Sequence, residues 1–164
     1  MSKKINSIII IVLLTFLFIP ITKEIKINNK IENVIKYKKI QFDYDGYLYI
    51  PKFNYKNLIK KGDKEVLDNN LISLNINGSD INSNKNIILA GHNNKYVFHI
   101  LYYLSLNDEL IISDFKIDNM YIVKEIKYIN AYDYSIFEEK DNTLTLITCT
   151  NDNQKRLVVI AIKK

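Results

Sequence analysis

The sequence predicts a mainly β protein, a closed barrel of short strands with one or two short helical turns, set behind an amino-terminal membrane-anchor helix. Three observations carry this. From Gln41 onward the apolar residues alternate or fall in short clusters separated by Asn, Asp, Gly and Lys, which is the pattern of many short strands. The chain has 164 residues and is 48% hydrophobic, enough for one real core and one attached segment. Before that body lies an uncharged apolar run, Ile8 to Ile21, preceded by Lys3 and Lys4.

The apolar run extends back to Ile5, giving about 17 residues, the low end of what crosses a hydrocarbon core. No small-x-small cleavage site follows Ile21, where the chain continues Thr22-Lys23-Glu24-Ile25. An uncleaved signal anchor over residues 1–22 is therefore expected. With Lys3 and Lys4 retained in the cytoplasm, everything after residue 22 is expected outside the cell membrane, on a single-pass protein. Residues 23–40, rich in Lys and Asn, read as an extracellular linker, either a short helix or a spacer. Residues 41–164 read as one catalytic domain.

Within that domain the predicted strands are Tyr47–Ile50, Leu71–Leu74, Ile87–Ala90, Glu109–Ser113, Met120–Ile129, Thr143–Cys149 and Arg156–Lys163. About seven strands suit a closed barrel. Val97, Ile100, Leu101 and Leu104 have helical spacing and predict one or two turns packed on it. A further turn is expected over Asp133–Glu139. The net charge of +5 comes from lysines scattered along the chain, several beside the apolar run, where they suit anionic lipid or a polyanionic wall. No basic block marks a nucleic-acid partner.

Chemistry is concentrated in few residues. The single cysteine, Cys149, cannot form an internal disulfide. A free cysteine is usually a small buried hydrophobe, but Cys149 ends a strand and is followed by the polar turn Thr150-Asn151-Asp152-Asn153, which displays the thiol at a strand's mouth. A thiol nucleophile needs a proton-transfer partner and a group to hold charge on the attacked carbonyl oxygen. Of the two histidines, His92 also lies just past a strand end, in a polar context. His99 sits within Tyr96-Val97-Phe98-His99-Ile100-Leu101 and reads as structural or packing. Arg156 is the only arginine among 23 basic residues. In a chain this biased to lysine, a retained guanidinium suggests a need for its planar fork of donors. Arg156 opens the strand after the polar turn, so it and Cys149 are expected across one hairpin mouth.

These residues also resemble a known family. Thr145-Leu146-Ile147-Thr148-Cys149 resembles the sortase nucleophile motif TLxTC, followed by the arginine of the next strand, and Leu89-Ala90-Gly91-His92-Asn93 resembles the family's histidine segment. Phe98 to Asp108 resembles F-x-x-L-x-x-L-x-x-G-D with Asn107 in place of glycine. Tyr49-Ile50-Pro51-Lys52 resembles the opening I-P-K strand, and Asn130 to Phe137 is similar to V-x-P-x-D without its proline. The resemblance spans about residues 47–162. It implies an eight-stranded sortase barrel in a Gram-positive type of cell, with Cys149 as nucleophile, His92 as acid and base, Arg156 as oxyanion stabiliser, and Thr148 and Ala90 beside the substrate. It also implies cleavage of an LPxTG-like sorting signal on surface proteins between Thr and Gly. A thioester would follow, and then transfer to an amine of a peptidoglycan precursor or a pilin lysine.

The scheme needs no metal or organic cofactor, and no carboxylate cluster matches the calcium site of some relatives. The 57 residues from His92 to Cys149 leave little room for the class B insertion, and no Asp-Pro-aromatic lid precedes the barrel, so class A or D is expected. An L,D-transpeptidase would show S-H-G-C-x-R, absent here, and papain-like peptidases usually place cysteine before histidine. The remaining alternative is a catalytically inactive, membrane-tethered β-barrel that binds peptide or cell-wall polymer.

Overall fold

The computed structural model describes residues 32–33, 36–39, 43–74, 80–138 and 140–164. Residues 43–164 form one compact unit. The described residues before it, 32–33 and 36–39, are helical and exposed. The apolar run expected to be a membrane anchor lies outside the described residues. Among the described residues no helix is long and apolar enough to cross a membrane.

The unit is built from β1 (Gly46–Ile50), β2 (Tyr55–Lys60), helix α1 (Lys64–Asp68), β3 (Ile72–Ser73), β4 (Ile87–Ala90), β5 (Glu109–Ser113), β6 (Asp118–Asn130), β7 (Thr143–Cys149) and β8 (Lys155–Lys163). Single 3-10 turns cover Pro51–Phe53 and Ser135–Phe137, and a longer one covers Phe98–Tyr103. The eight strands close in the order β1-β2-β3-β4-β7-β8-β6-β5, with β1 paired to β5. Closure removes the free edges that an open sheet would expose.

β4 and β8 read as near-continuous apolar runs because they are covered on both faces, whereas β7 alternates, with Leu144 and Leu146 on one face and Thr143, Thr145 and Ile147 on the other. Ile87, Leu89, Leu144, Leu146, Leu157, Val159 and Ala161 point into the barrel with Leu48, Ile50, Ile59, Leu110 and Ile112. On the outer face Ile129, Ile136, Val158 and Ile160 form a second cluster, joined by Phe137 and Ile147. The β6–β7 connection folds over that outer face and is pinned by a buried amide: Asn86 Nδ2 donates to Ile136 O at 2.9 Å and Asn86 Oδ1 accepts from Thr145 Oγ1 at 2.8 Å.

Expectation and structure agree for Ile87–Ala90, Glu109–Ser113 and Thr143–Cys149. The expected turn near Lys95–Leu106 is the Phe98–Tyr103 turn, with Val97, Leu101 and Leu104 buried and Ile100 packed on the core. Two elements were not anticipated. β2 alternates poorly because Lys56, Asn57 and Lys60 share it with Leu58 and Ile59, and Lys56 covers the Tyr47 ring at 3.6 Å instead of leaving an apolar partner exposed. α1 has five residues, below the length at which apolar spacing is readable. The predicted strand Leu71–Leu74 shrinks to Ile72–Ser73, since it meets β4 through one residue pair, Ser73 with Ala90.

Candidate active site

Register brings the site together. β4 and β7 run parallel, with Leu89 opposite Leu146 and Ala90 opposite Ile147, so both strands end at the same rim. β7 and β8 are antiparallel and place Cys149 opposite Arg156. Side chains alternate along a strand. With Leu144 and Leu146 inward, Ile147 and Cys149 face outward, as does Arg156, which shares the parity of Val158 and Ile160. Ala90 sits on that same outer face, beside Ile147. His92 follows two residues later, past the strand end.

Two recesses meet at Cys149 and His92. One, of about 250 Å³, is lined by Leu67, Ala90, Gly91, His92, Ile147, Thr148, Cys149 and Arg156. The other, of about 360 Å³, is lined by His92, Asn93, Asn94, Cys149, Thr150, Asn151 and Asn153. All five residues expected at the site, Cys149, His92, Arg156, Thr148 and Ala90, therefore line one groove. That groove has an apolar floor of Leu67, Ala90 and Ile147, and the adjoining recess gives it an amide-rich wall of Asn93, Asn94, Asn151 and Asn153.

Their side chains are held differently. Thr148 is buried, 2% exposed, and its Oγ1 donates to Gly91 O at 2.8 Å, while Gly91 N donates to Ile147 O at 3.2 Å. These bonds tie the end of β4 to the end of β7. Gly91 has no room for a side chain: a Cβ there would meet Val97 and Phe98 at 2.7 Å. The glycine before the histidine thus lets the Phe98 turn close under the site. Arg156 Nη1 donates to Lys155 O at 3.1 Å and Asn153 O at 3.3 Å, which fixes one end of the guanidinium on the β7–β8 turn. Cys149 is half-buried and, among the described residues, its Sγ makes no hydrogen bond.

Sequence reasoning missed two neighbours. Asp68 Oδ1 lies 3.9 Å from His92 Nε2, with the histidine side chain 47% exposed and the carboxylate 59% exposed. It ends the unanticipated helix α1, so no signal pointed to it. Asn93, directly after His92, bonds Asn151 and the ring of His99. The adjacency of Asn93 to His92 was visible, but its partners are 6 and 58 residues away. His99 does not reach the groove lining; its ring centroid lies 5.5 Å from that of Tyr102, tilted, and 5.8 Å from that of Tyr103, edge-on.

Two carboxylates near the rim stay ionised to lower pH than usual. Asp152 is held below the ordinary carboxylate range first by the Thr150 hydroxyl and then by the Gln154 amide, and Asp133 by the backbone and hydroxyl of Ser135. Burial moves Tyr102 in the opposite direction, upward. No group of three or more His, Cys, Asp or Glu suited to a metal ion occurs among the described residues.

A closed barrel with an outward cysteine at the end of one strand, an arginine opposite it and a histidine at the neighbouring strand's end defines a cysteine enzyme of the acyl-transfer class. A family model described as the Sortase domain matches residues 48–164. The chain belongs to the sortase family of cysteine transpeptidases. Among solved structures it is similar to a Clostridium perfringens sortase D5 transpeptidase, at 27% identity and a TM-score of 0.68, over 74% of this chain and 79% of that one. It also shares its fold with Listeria monocytogenes sortase A, at 22% identity and a TM-score of 0.67, over 74% and 88%. Streptococcus agalactiae sortase C1 has the same fold at 22% identity and 0.67, over 74% and 68%. No sequence among curated proteins matches this chain.

Proposed function

We propose that the chain is a membrane-anchored sortase of class A or D that cleaves an LPxTG-like sorting signal between Thr and Gly. The observation that carries this reading is the pairing of Cys149 with Arg156 across β7 and β8, in a groove that also holds His92. In this reading the Cys149 thiolate attacks the threonyl carbonyl carbon, and the pair of electrons displaced onto oxygen is held by Arg156. Two of the guanidinium's hydrogen bonds go to Lys155 O and Asn153 O, both from Nη1, so the other nitrogens have donors for substrate. The tetrahedral adduct collapses with cleavage of the Thr–Gly bond as His92, protonated, gives its proton to the departing glycine amine. A thioester remains on Cys149.

An incoming amine, from a peptidoglycan precursor or a pilin lysine, then attacks the thioester carbonyl and yields its proton to His92, releasing the thiolate. Leu67, Ala90 and Ile147 give the apolar floor that suits the leucine and proline of such a signal. The absence of a hydrogen bond on Sγ is compatible with a site that tightens when substrate arrives. The same residues support export: an active thiol with no disulfide partner, behind an uncharged run of about 17 residues at the amino terminus.

The test is a panel of quenched fluorescent LPxTG-type peptides with and without an amine, using the full chain in detergent. Cleavage lost in Cys149→Ala, together with a product joined to the amine, supports the reading. Cleavage of none of the peptides, with an unreactive Cys149, would favour an inactive tethered barrel that binds peptide or wall polymer.

A further inference from the structure

The groove's amide-rich wall is braced from within. Asn93 Nδ2 donates to Asn151 Oδ1 at 2.8 Å, and Asn93 Oδ1 lies 3.0 Å from His99 Nδ1. An amide oxygen can only accept, so His99 carries its proton on Nδ1 and fixes which way the Asn93 amide faces. Asn93 follows His92 and Asn151 stands two residues after Cys149. On the other side of the same two residues, Gly91 and Thr148 are joined by the hydroxyl bond at 2.8 Å. His92 and Cys149 are thus each flanked before and after by cross-strand ties. Asn93 Nδ2 also reaches Tyr102 OH at 3.4 Å, and that hydroxyl reaches Cys149 O at 3.5 Å, both long contacts that add little.

We infer that His99, Asn93 and Asn151 form a positioning relay that sets the placement of His92 against Cys149 during acyl transfer. The inference rests on the reading of Cys149 and His92 given above. None of the three touches the reacting atoms in this role. Their effect is geometric: each strand end runs into a polar segment held by its own backbone bonds, Phe98 N to His92 O at 3.0 Å after β4 and Thr150 N to Lys155 O at 3.0 Å after β7, and the Asn93–Asn151 bond ties one segment to the other, where a displacement of about 1 Å between reacting groups can cost on the order of 100-fold in rate. The relay gives His99, a residue outside the groove lining, a stake in the rate of the reaction.

The test uses the full chain with His99→Phe, His99→Asn, Asn151→Leu and the double variant His99→Phe/Asn151→Leu, measuring kcat and KM on the cleaved peptide and the thermal midpoint of each. Phe keeps the ring contacts to Tyr102 and Tyr103 but donates nothing, and Asn restores an amide N–H near the Nδ1 position. The expected result is a fall in kcat of about 10- to 100-fold for His99→Phe and for Asn151→Leu with KM little changed. His99→Asn recovers most of the rate, and the double variant loses no more than either single one, because both act through Asn93. Wild-type kcat in folded Asn151→Leu, losses that multiply in the double variant, or no recovery in His99→Asn overturns the relay. Cleavage that persists in Cys149→Ala instead removes the nucleophile reading beneath it, which separates the two failures.

Discussion

The asparagine bias of this chain shows its physical cost and use one residue at a time. Asn54, Asn70, Asn107, Asn142 and Asn153 all have positive φ, the conformation that glycine adopts freely and asparagine tolerates better than other side-chain-bearing residues. With 4 glycines in the sequence, asparagine takes over the turns. This explains the one departure in the F-x-x-L-x-x-L-x-x-G-D segment: Asn107, at φ 70°, holds the turn where the family has glycine. Replacing Asn107 with Gly should leave stability unchanged or raise it by up to about 1 kcal/mol, while Asn107→Val should lower it by about 1–2 kcal/mol, read by urea denaturation. The aspartate beside it accepts from Lys52 Nζ at 2.8 Å, so the I-P-K and G-D segments are the two ends of one ion pair. Asp68 near His92 is a weaker case. Both partners are about half exposed at 3.9 Å, where an ion pair contributes about 1 kcal/mol at most, so Asp68→Ala should change kcat/KM by less than about fivefold. A larger loss would place Asp68 within the machinery.

Among the elements, β4 and β8 were legible as apolar runs and β7 by its alternation of threonine with leucine, and their ends located Cys149, His92 and Arg156. What the sequence could not supply was the registry that turns three strand ends into a groove. Ala90 opposite Ile147 and Cys149 opposite Arg156 follow from a parallel and an antiparallel pairing between segments as much as 57 residues apart. Nor could it give the role of Thr148, whose hydroxyl is donated to the strand next door. Thr148→Val keeps the shape and leaves the Gly91 carbonyl without that donor, so a loss of about 1–3 kcal/mol is expected in chemical denaturation, accompanied by reduced cleavage. The β7–β8 turn carries a pH signature. Asp152 has a depressed pKa in the folded chain because Thr150 and Gln154 donate to its carboxylate, so its stabilising effect is present above the unfolded carboxylate pKa and disappears as pH falls through the lower folded value. Amide shifts of Thr150 and Gln154 should therefore move together in strong acid and not between pH 5 and 8. Movement in the neutral range would assign the turn's order to another group.

Across the whole molecule the barrel is unevenly sewn. β6, β7 and β8 are joined by long antiparallel ladders, along β7 from Thr143 to Cys149 and along β6 from Tyr121 to Asn130, whereas β3 contributes two residues and meets β4 through Ser73 and Ala90 alone. Hydrogen exchange should accordingly be slowest in β8 and fastest around β3, close to α1 and the apolar edge of the groove, as expected where few ladder bonds must open. Closure at the other seam depends on Gly46, where a Cβ would collide with Ser113 O and the Ile81 side chain. Gly46→Ala should cost about 1–3 kcal/mol or more by forcing β1 from β5, seen as a lowered denaturation midpoint. This seam was not legible in the sequence: Gly46 reads as an ordinary turn glycine before β1, and only the pairing of Tyr47 with Ser113 reveals the close approach.

If Cys149 is the nucleophile, as proposed above, the barrel holds an acyl group on it between the departure of one amine and the attack of the next. Intact-mass measurement of the full chain after brief mixing with an LPxTG-type peptide tests it most directly. The expected result is an added mass equal to the peptide's amino-terminal portion, located on Cys149, discharged by hydroxylamine or an acceptor amine and absent in Cys149→Ala. An unchanged mass alongside peptide cleavage, or an adduct that survives Cys149→Ala, would contradict it.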